Sequence, residues 1–288
     1  MSAAGTTVEL PQGTISYTES GGGPPVVFVH GLLVNGSLGR DVAPRLAPRY
    51  RCIVPDWPLG SHPIAMRPDA NLSPPGLAGI VAGFLDALDL HDVTLVGNDT
   101  GGAICQLVAV NHPQRLGRLV LTNCDAYENF LPPAFRPLQL MARIPGATTA
   151  LMQGLRLEPM RRGPLGFGML TKRPIDPTVL EGWARPVLSD RGVRRDLVKA
   201  LKGISKRYTL DAAERLADFN RPTLIAWAPE DPFFKRGFAE RLADAIPDSK
   251  LEWIEDARTF TPVDQPERLA TLIGEFAATE SPAAAEKA

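Results

Sequence analysis

The stretch Gly97-Asn98-Asp99-Thr100-Gly101-Gly102 follows an apolar run at 93–97 and precedes a helical pattern at 100–111. A strand, a sharp turn and a helix in this order form the context of a nucleophile elbow, which lifts its central residue above a sheet. Glycines on both sides give the turn the room that it needs. The stretch therefore predicts a reactive Asp99 carboxylate beside a helix N-terminus. A simple N-cap role for Asp99 is the alternative, although a cap needs no flanking glycines.

Around this stretch, short apolar runs alternate with helical patterns. A hairpin is predicted at 7–10 and 14–19. Ser73 is predicted to cap a helix that begins at Pro74. This alternation predicts an α/β fold with a mostly parallel central sheet flanked by helices. The further strands are predicted at 26–29, 51–56, 93–97, 119–123, 224–227 and 251–254.

The alternation stops between 126 and 216, where helical pieces are predicted at 137–144, 178–188 and 194–208. We expect a helical cap there, inserted after the strand that ends near residue 124 and placed over the carboxyl ends of the strands. The core then comprises 1–125 and 217–278, and 279–288 is predicted to be a flexible tail. The large apolar side chains of the cap predict either a pocket roof or packing between cap and core. They are Phe130, Phe135, Met141, Met152, Met160, Phe167, Met169 and Trp183.

The composition argues against several classes of function. The chain has 288 residues and a net charge of −1, which gives no electrostatic case for nucleic acid or a membrane as partner. Without an apolar run of membrane-spanning length or a signal-peptide pattern, we expect a cytoplasmic protein. Cys52, Cys105 and Cys124 are expected to be buried thiols. No metal cluster, phosphate loop or dinucleotide motif occurs, so we expect no cofactor and no metal. A small-molecule substrate or ligand is the expected partner, and the chain is expected to be a monomer or homodimer.

Over almost its whole length, the chain resembles the α/β-hydrolase superfamily. Within it, the chain is similar to the branch with an aspartate nucleophile, which includes haloalkane dehalogenases and epoxide hydrolases. The elbow carries this resemblance together with His30-Gly31, the loop at 56–62 and the segment at 227–234. The resemblance implies the α/β-hydrolase fold, with Asp99 as nucleophile. It also implies that Asp231 is the triad acid, with Glu230 as the nearby alternative.

The same resemblance implies an oxyanion hole. In the family, one donor is the amide after the His-Gly pair, here Leu32, and the other is the amide after the nucleophile, here Thr100. His30 is expected to orient this loop and to lie beside the substrate. Dehalogenases usually carry tryptophan where Thr100 stands, which weakens the dehalogenase interpretation.

The late histidine of the family is missing, because the last histidine of the chain is His112. The segment at 256–267 keeps the flanking pattern of the family, and Thr259 stands at the histidine position. In the family, histidine activates the water that hydrolyses an aspartyl ester, and threonine has no accessible pKa for that task. His62, on the loop after the fourth strand, is a possible substitute base. A loop histidine that faces solvent is the alternative.

Three further residues are candidates for substrate binding. Epoxide hydrolases use tyrosines of the cap to protonate the epoxide oxygen, which implies such a role for Tyr127 or Tyr208. Packing with one satisfied hydroxyl is the alternative for both. Arg258, beside the histidine position, could bind an anionic substrate or pair with a carboxylate of the site. An exposed structural salt bridge is the alternative.

Three functions remain open on the sequence alone. The first is a hydrolase of C–halide, epoxide or ester bonds that acts on a small, largely apolar molecule, with Asp99 as nucleophile or general base. The second is a lyase or isomerase in which Asp99 transfers a proton. The third is a ligand-binding protein without catalysis. We place the hydrolase first because the elbow, the oxyanion loop and the acid segment are all present.

Overall fold

One eight-stranded sheet runs through the computed structural model, which describes residues 6–163 and 166–279. Its spatial order is β1-β2-β4-β3-β5-β6-β7-β8, once the strands are numbered along the chain. The first two pairs in that order are antiparallel and the other neighbours are parallel, as predicted. The strands are β1 (Thr6–Leu10), β2 (Gly13–Ser20), β3 (Pro25–Val29), β4 (Arg51–Pro55), β5 (Val93–Asp99), β6 (Leu116–Cys124), β7 (Thr223–Trp227) and β8 (Ser249–Trp253).

Helices cover both faces of this sheet. Val27 and Val29 of β3 pack in one apolar cluster with α2, α3 and α10, whereas Val26 packs in another with α1 and α12. Successive side chains of a strand point to opposite faces, so strands covered on both sides are apolar throughout. The helices are α1 (Ala43–Leu46), α2 (Pro74–Ala87), α3 (Thr100–Asn111), α4 (Arg136–Met141), α5 (Ala147–Gln153), α6 (Glu158–Arg162), α7 (Pro177–Ser189), α8 (Arg191–Gly203), α9 (Lys206–Arg215), α10 (Arg236–Ala245), α11 (Thr261–Asp264) and α12 (Pro266–Ala277).

Ser73 is the N-cap residue of α2, which begins at Pro74 as predicted, although its side chain makes no capping hydrogen bond. The prediction of one helix at 194–208 was wrong, because α8 ends at Gly203 and Ser205 is extended. A Cβ at Gly203 would lie 2.8 Å from the Cα of Ser73, so α8 ends where it meets the start of α2.

The predicted cap region is helical in the described residues between Cys124 and Thr223, apart from one isolated bridge between Ala126 and Asn129. Its last helix, α9, packs against α3 and α10, so this part of 126–216 belongs to the layer that covers the sheet. The predicted tail lies outside the described residues except for Thr279. Over the described ranges, none of the helices is long and apolar enough to cross a membrane.

Aromatic side chains join the cap to the core. Trp183 of α7 is fully buried, and its ring meets those of Phe167 and Phe260 edge to face at 5.2 and 5.7 Å between centroids. Its indole N–H donates to the hydroxyl of Ser37 at 2.8 Å. These contacts favour packing over a pocket roof for Trp183 and Phe167. The three cysteines are buried and free, as expected.

Candidate active site

The site lies where the strand order reverses. From β3 the chain crosses to β4 on one side, and β5 then pairs with the other side of β3. In α/β sheets, ligands bind at the carboxyl ends of the strands at such a reversal. Asp99 ends β5 and Leu32 follows β3, so the fold brings the elbow and the predicted oxyanion loop together.

Asp99 has the backbone conformation of an elbow, with φ 55° and ψ −133°. Positive φ is uncommon outside glycine and is maintained only where the surroundings impose it. Asp99 stands at the N-cap position of α3, but its side chain makes no capping bond, which favours the elbow over a simple cap. Cβ atoms at Gly31 and Gly101 would overlap the Asp99 carboxylate and the carbonyl oxygen of Val29, respectively. The two glycines therefore allow the elbow to approach β3 closely.

The backbone N–H groups of Leu32 and Thr100 lie beside the carboxylate of Asp99 and act to lower its pKa. These are the two donors that the resemblance implies for an oxyanion hole. Here they lie next to the carboxyl group of the elbow residue, where two amides could stabilise a negative oxygen.

Burial raises the pKa of Asp99 from 3.8 to about 7, and the negative charge of Asp231 adds to this effect. The amides of Leu32 and Thr100 oppose the rise. Asp99 is half-buried. Near neutral pH, both the acid and the carboxylate forms of its side chain are populated.

Asp231 and Thr259 are in direct contact. The Thr259 hydroxyl donates to Oδ2 of Asp231 at 2.8 Å. Oδ1 accepts the amides of Phe233 at 2.7 Å and Phe234 at 3.1 Å. Burial raises the pKa of Asp231, against the effect of these bonds. By contrast, Glu230 is exposed and pairs with Lys172, so Asp231 is the better placed of the two.

The loop that carries Thr259 is tied to the cap. The carboxylate of Asp264 accepts the amides of Arg258 and Lys172, each at 2.9 Å, and that of Arg173 at 2.8 Å. In addition, the side chain of Asn98 donates to the carbonyl oxygen of Thr259 at 2.7 Å. These bonds hold Thr259 in position. In the part of the chain that the structure describes, Arg258 forms no ion pair with Asp99 or Asp231, so a role in anion binding stays a prediction.

Asp125, which sequence reasoning missed, is a second buried carboxyl beside the elbow. It follows β6 and accepts the Thr100 hydroxyl at 3.1 Å and the Leu131 amide at 2.9 Å. Burial raises its pKa well above the usual range, and the charge of Asp99 adds to this effect. Two coupled carboxyls in such surroundings do not ionise independently. Its place at the carboxyl end of a buried strand was the signal that could have found it.

His30 orients the oxyanion loop. Its Nδ1 lies 2.9 Å from the carbonyl oxygen of Gly31, and its Nε2 accepts the amide of Trp57 at 2.8 Å. Burial lowers its pKa to about 4, so the ring is neutral and donates through Nδ1. Both ring nitrogens are used inside the protein. This arrangement favours the orienting role over contact with a substrate.

His62 is buried, so the solvent-facing alternative was wrong. Its Nε2 lies 3.3 Å from Oδ2 of Asp196 on α8, and its Nδ1 accepts the amide of Gly60 at 3.4 Å. Burial acts to raise the pKa of Asp196, but bonds from His62, Met66 and Arg195 outweigh it and lower that pKa. The ring therefore links the loop after β4 to the cap. The role of His62 as a base that substitutes for the missing late histidine stays a prediction.

The two tyrosines have arginine neighbours. The guanidinium carbon of Arg241 lies 3.8 Å from the ring centroid of Tyr127, which is buried. Arg207 lies 4.5 Å from the ring of Tyr208 and donates to its hydroxyl at 2.5 Å. Both arrangements favour the packing interpretation, and contact of either tyrosine with a substrate stays a prediction.

Known proteins are similar to this chain in sequence and in fold. The sequence model of the alpha/beta hydrolase fold family matches residues 24–266. Haloalkane dehalogenase 2 of Mycobacterium tuberculosis is 29% identical over 272 residues, which cover 91% of each chain. An alpha/beta hydrolase fold protein from Burkholderia ambifaria has a TM-score of 0.79 at 22% identity, covering 96% of this chain and 98% of the other. For a thermophilic esterase from Thermogutta terrifontis, the TM-score is 0.71 at 23% identity, with 94% and 97% covered.

Proposed function

Because this chain belongs to the alpha/beta hydrolase fold family, we propose that it is a hydrolase whose reactive group is the carboxylate of Asp99. The observation that carries the proposal is the position of that carboxylate, which ends β5 in a positive-φ turn and lies against the Gly31 loop, beside the amides of Leu32 and Thr100. The proposed substrate is a small, largely apolar molecule with a C–halide, epoxide or ester bond. The similarity to a haloalkane dehalogenase and to the fold of an esterase supports this choice of bonds.

In the first proposed step, an oxygen of Asp99 attacks the electrophilic carbon of a halide or epoxide. A C–O bond forms while the C–halide bond or one C–O bond of the epoxide breaks. The halide departs with the electron pair, whereas the epoxide oxygen stays on the neighbouring carbon as an alkoxide and takes a proton from water. The product is an ester of Asp99. For an ester substrate, the same carboxylate would instead act as a general base on water.

In the second step, water adds to the carbonyl carbon of the aspartyl ester. The carbonyl oxygen becomes negative, and the amides of Leu32 and Thr100 stabilise it. The substrate leaves as an alcohol with an oxygen from Asp99, and the oxygen of water stays in the carboxylate. The attacking water must lose a proton, and Thr259 is not basic. We therefore expect this step to be slow and the ester to accumulate.

The intact mass of the protein tests the first step. After incubation with 1-bromobutane, 1,2-epoxyhexane or phenyl acetate, we expect a covalent adduct for at least one of the alkylating reagents. Peptide mapping should place it on Asp99, and Asp99→Asn should form none. If the folded protein shows neither adduct nor turnover with such reagents, the proposal is wrong.

The variant Thr259→His tests the second step. A histidine next to Asp231 would supply the missing base, which is worth ~10²–10⁴-fold in rate. We expect the adduct to disappear and turnover in H₂¹⁸O to place the label in the Asp99 carboxylate. Thr259→Gln, of similar size but without a basic group, is the matched control and should retain the adduct.

A proton-transfer enzyme is the second candidate function, and the raised pKa of Asp99 favours it. A carboxyl with a pKa of about 7 is suited to accept and return a proton near neutral pH. A lyase or isomerase of this kind would show a pH–rate profile governed by Asp99 and no ester intermediate. Loss of activity in Asp99→Asn, without an adduct or ¹⁸O in the wild-type protein, would select this function over hydrolysis.

A further inference from the structure

The net charge of −1 conceals a separation of charge between the cap and the rest of the chain. Residues 126–216 carry 16 lysines and arginines against 8 acidic residues. The remainder carries 15 basic and 24 acidic residues. The predicted absence of a membrane partner relied on the charge of the whole chain, which averages these two opposite regions.

Within the cap, the segment 136–162 combines this positive charge with exposed apolar side chains. We call it the cap patch. It contains five arginines and one acidic residue, Glu158. Leu140 and Leu157 have 62% and 61% of their surface exposed, and Ile144 has 54%. Large apolar side chains at this level of exposure in one short segment commonly mark an interaction surface.

Two of the five arginines of the cap patch are available to a partner. Arg136 and Arg143 are exposed and form no salt bridge with any residue in the described ranges. They flank Leu140 and Ile144 in the sequence, on α4 and the turn that follows it. The apolar side chains therefore stand among positive charges that other parts of the protein leave unneutralised.

We propose that the cap patch docks on the surface of an anionic phospholipid membrane. Leucine and isoleucine side chains among arginines suit the boundary between headgroups and acyl chains, where the cations meet lipid phosphates. A second copy of the chain is a poorer partner, because a symmetric contact would place the same arginines against each other. A nucleic acid would leave the exposed leucines without an apolar partner. The proposal does not depend on the reaction at Asp99.

Docking through the cap patch would place the cap between the membrane and the sheet. The cap lies after β6, on the side of the carboxyl ends where Asp99 is found. An apolar substrate dissolved in the membrane would then be concentrated next to the element that covers the site. The proposed function and the docking surface are thus compatible, although each can fail without the other.

Vesicle flotation of the full chain tests the proposal. We expect binding to vesicles of phosphatidylglycerol and phosphatidylcholine at low ionic strength, little binding to phosphatidylcholine alone, and weaker binding as salt increases. Removing two cations in Arg136→Ala/Arg143→Ala should weaken partition about 25-fold, at about fivefold for each cation near the surface. Leu140→Asp/Ile144→Asp should abolish it.

Leu210→Asp is the matched control, since Leu210 is exposed but lies on α9, which packs against α3 and α10. Its binding should equal that of the wild-type protein, and circular dichroism should show that all variants are folded. Absence of binding to the anionic vesicles overturns the proposal. A second result would also overturn it. If the wild-type protein does not bind vesicles but forms a concentration-dependent dimer that Leu140→Asp/Ile144→Asp dissociates, the partner of the cap patch is a second copy of the chain.

Discussion

Replacing Asp99 by asparagine is expected to stabilise the folded protein by an amount that increases with pH. Asparagine keeps the shape of the side chain and an oxygen that can accept the amides of Leu32 and Thr100. It also tolerates the φ of 55° at the elbow about as well as aspartate does. The substitution therefore removes mainly one buried negative charge.

The magnitude follows from the pKa. Folding raises the pKa of Asp99 from 3.8 to about 7. The folded state is thus penalised as soon as the unfolded chain ionises, above pH 3.8, and the penalty grows until the folded group also ionises near pH 7. At about 1.36 kcal/mol for each tenfold change, the penalty is ~4 kcal/mol at pH 8 and below ~1 kcal/mol at pH 4. This is a large part of the ~5–15 kcal/mol that stabilises most domains.

Urea unfolding followed by tryptophan fluorescence measures the effect. The free energies of unfolding of the wild-type protein and Asp99→Asn should be compared at pH 4, 6 and 8. The difference should rise with pH and level off above 7. Asp69→Asn, at a carboxyl whose side chain is 83% exposed, is the control and should show almost no difference at any pH. A difference that is constant or falls with pH would refute the assignment of a buried, destabilised charge to Asp99.

Three further predictions concern the surroundings of the elbow. Thr259→Val removes the hydroxyl that donates to the buried Asp231 at 2.8 Å, and should cost ~1–3 kcal/mol in urea unfolding. The loss should grow with pH as Asp231 ionises, because the hydroxyl stabilises its carboxylate, whereas Thr259→Ser should restore stability. Asp99→Asn removes the charge that adds to the rise of the Asp125 pKa, and should lower that pKa. The pH midpoint of the ¹³C shift of the Asp125 carboxyl, followed by NMR, should then move to lower pH, and an unchanged midpoint would contradict the coupling. Gly101→Ala places a Cβ on a backbone carbonyl of β3 and should lower the melting temperature strongly. Gly79→Ala, in open space on α2, should leave it unchanged or raise it.

Local patterns were sufficient for most of the fold. The apolar runs are long enough for strands buried on both faces, and each predicted run lies in a strand, apart from the last residue or so of two of them. The helix at 100–111 was predicted with its observed ends. The break at 204–205 was not predicted, because it depends on contact between Gly203 and Ser73. Contacts between residues so far apart in the chain leave no local pattern.

The candidate site was predictable only in part, because some of its residues carry a local pattern and others depend on contacts between distant parts of the chain. Asp99, with its flanking glycines, carries its own signal, and Leu32 and Thr100 followed from the family resemblance. The pairing of His62 with Asp196 joins residues that are 134 positions apart. Asp125 has no motif of its own, and its importance comes from the Thr100 hydroxyl and the neighbouring carboxyl. These relations depend on the folded arrangement of the chain.

The sequence by itself determined that an aspartate stands at an elbow between a strand and a helix, and that no histidine follows His112. Only the tertiary structure decided how acidic that aspartate is and what surrounds it. The pKa of a carboxyl depends on the water that it loses and on the charges that come near it, and both are set by the whole packed molecule. Here β5, β6 and the loop after β7 bring Asp99, Asp125 and Asp231 together. Burial of Asp99, together with the negative charge of Asp231, is the physical reason that the pKa of Asp99 lies near neutral pH.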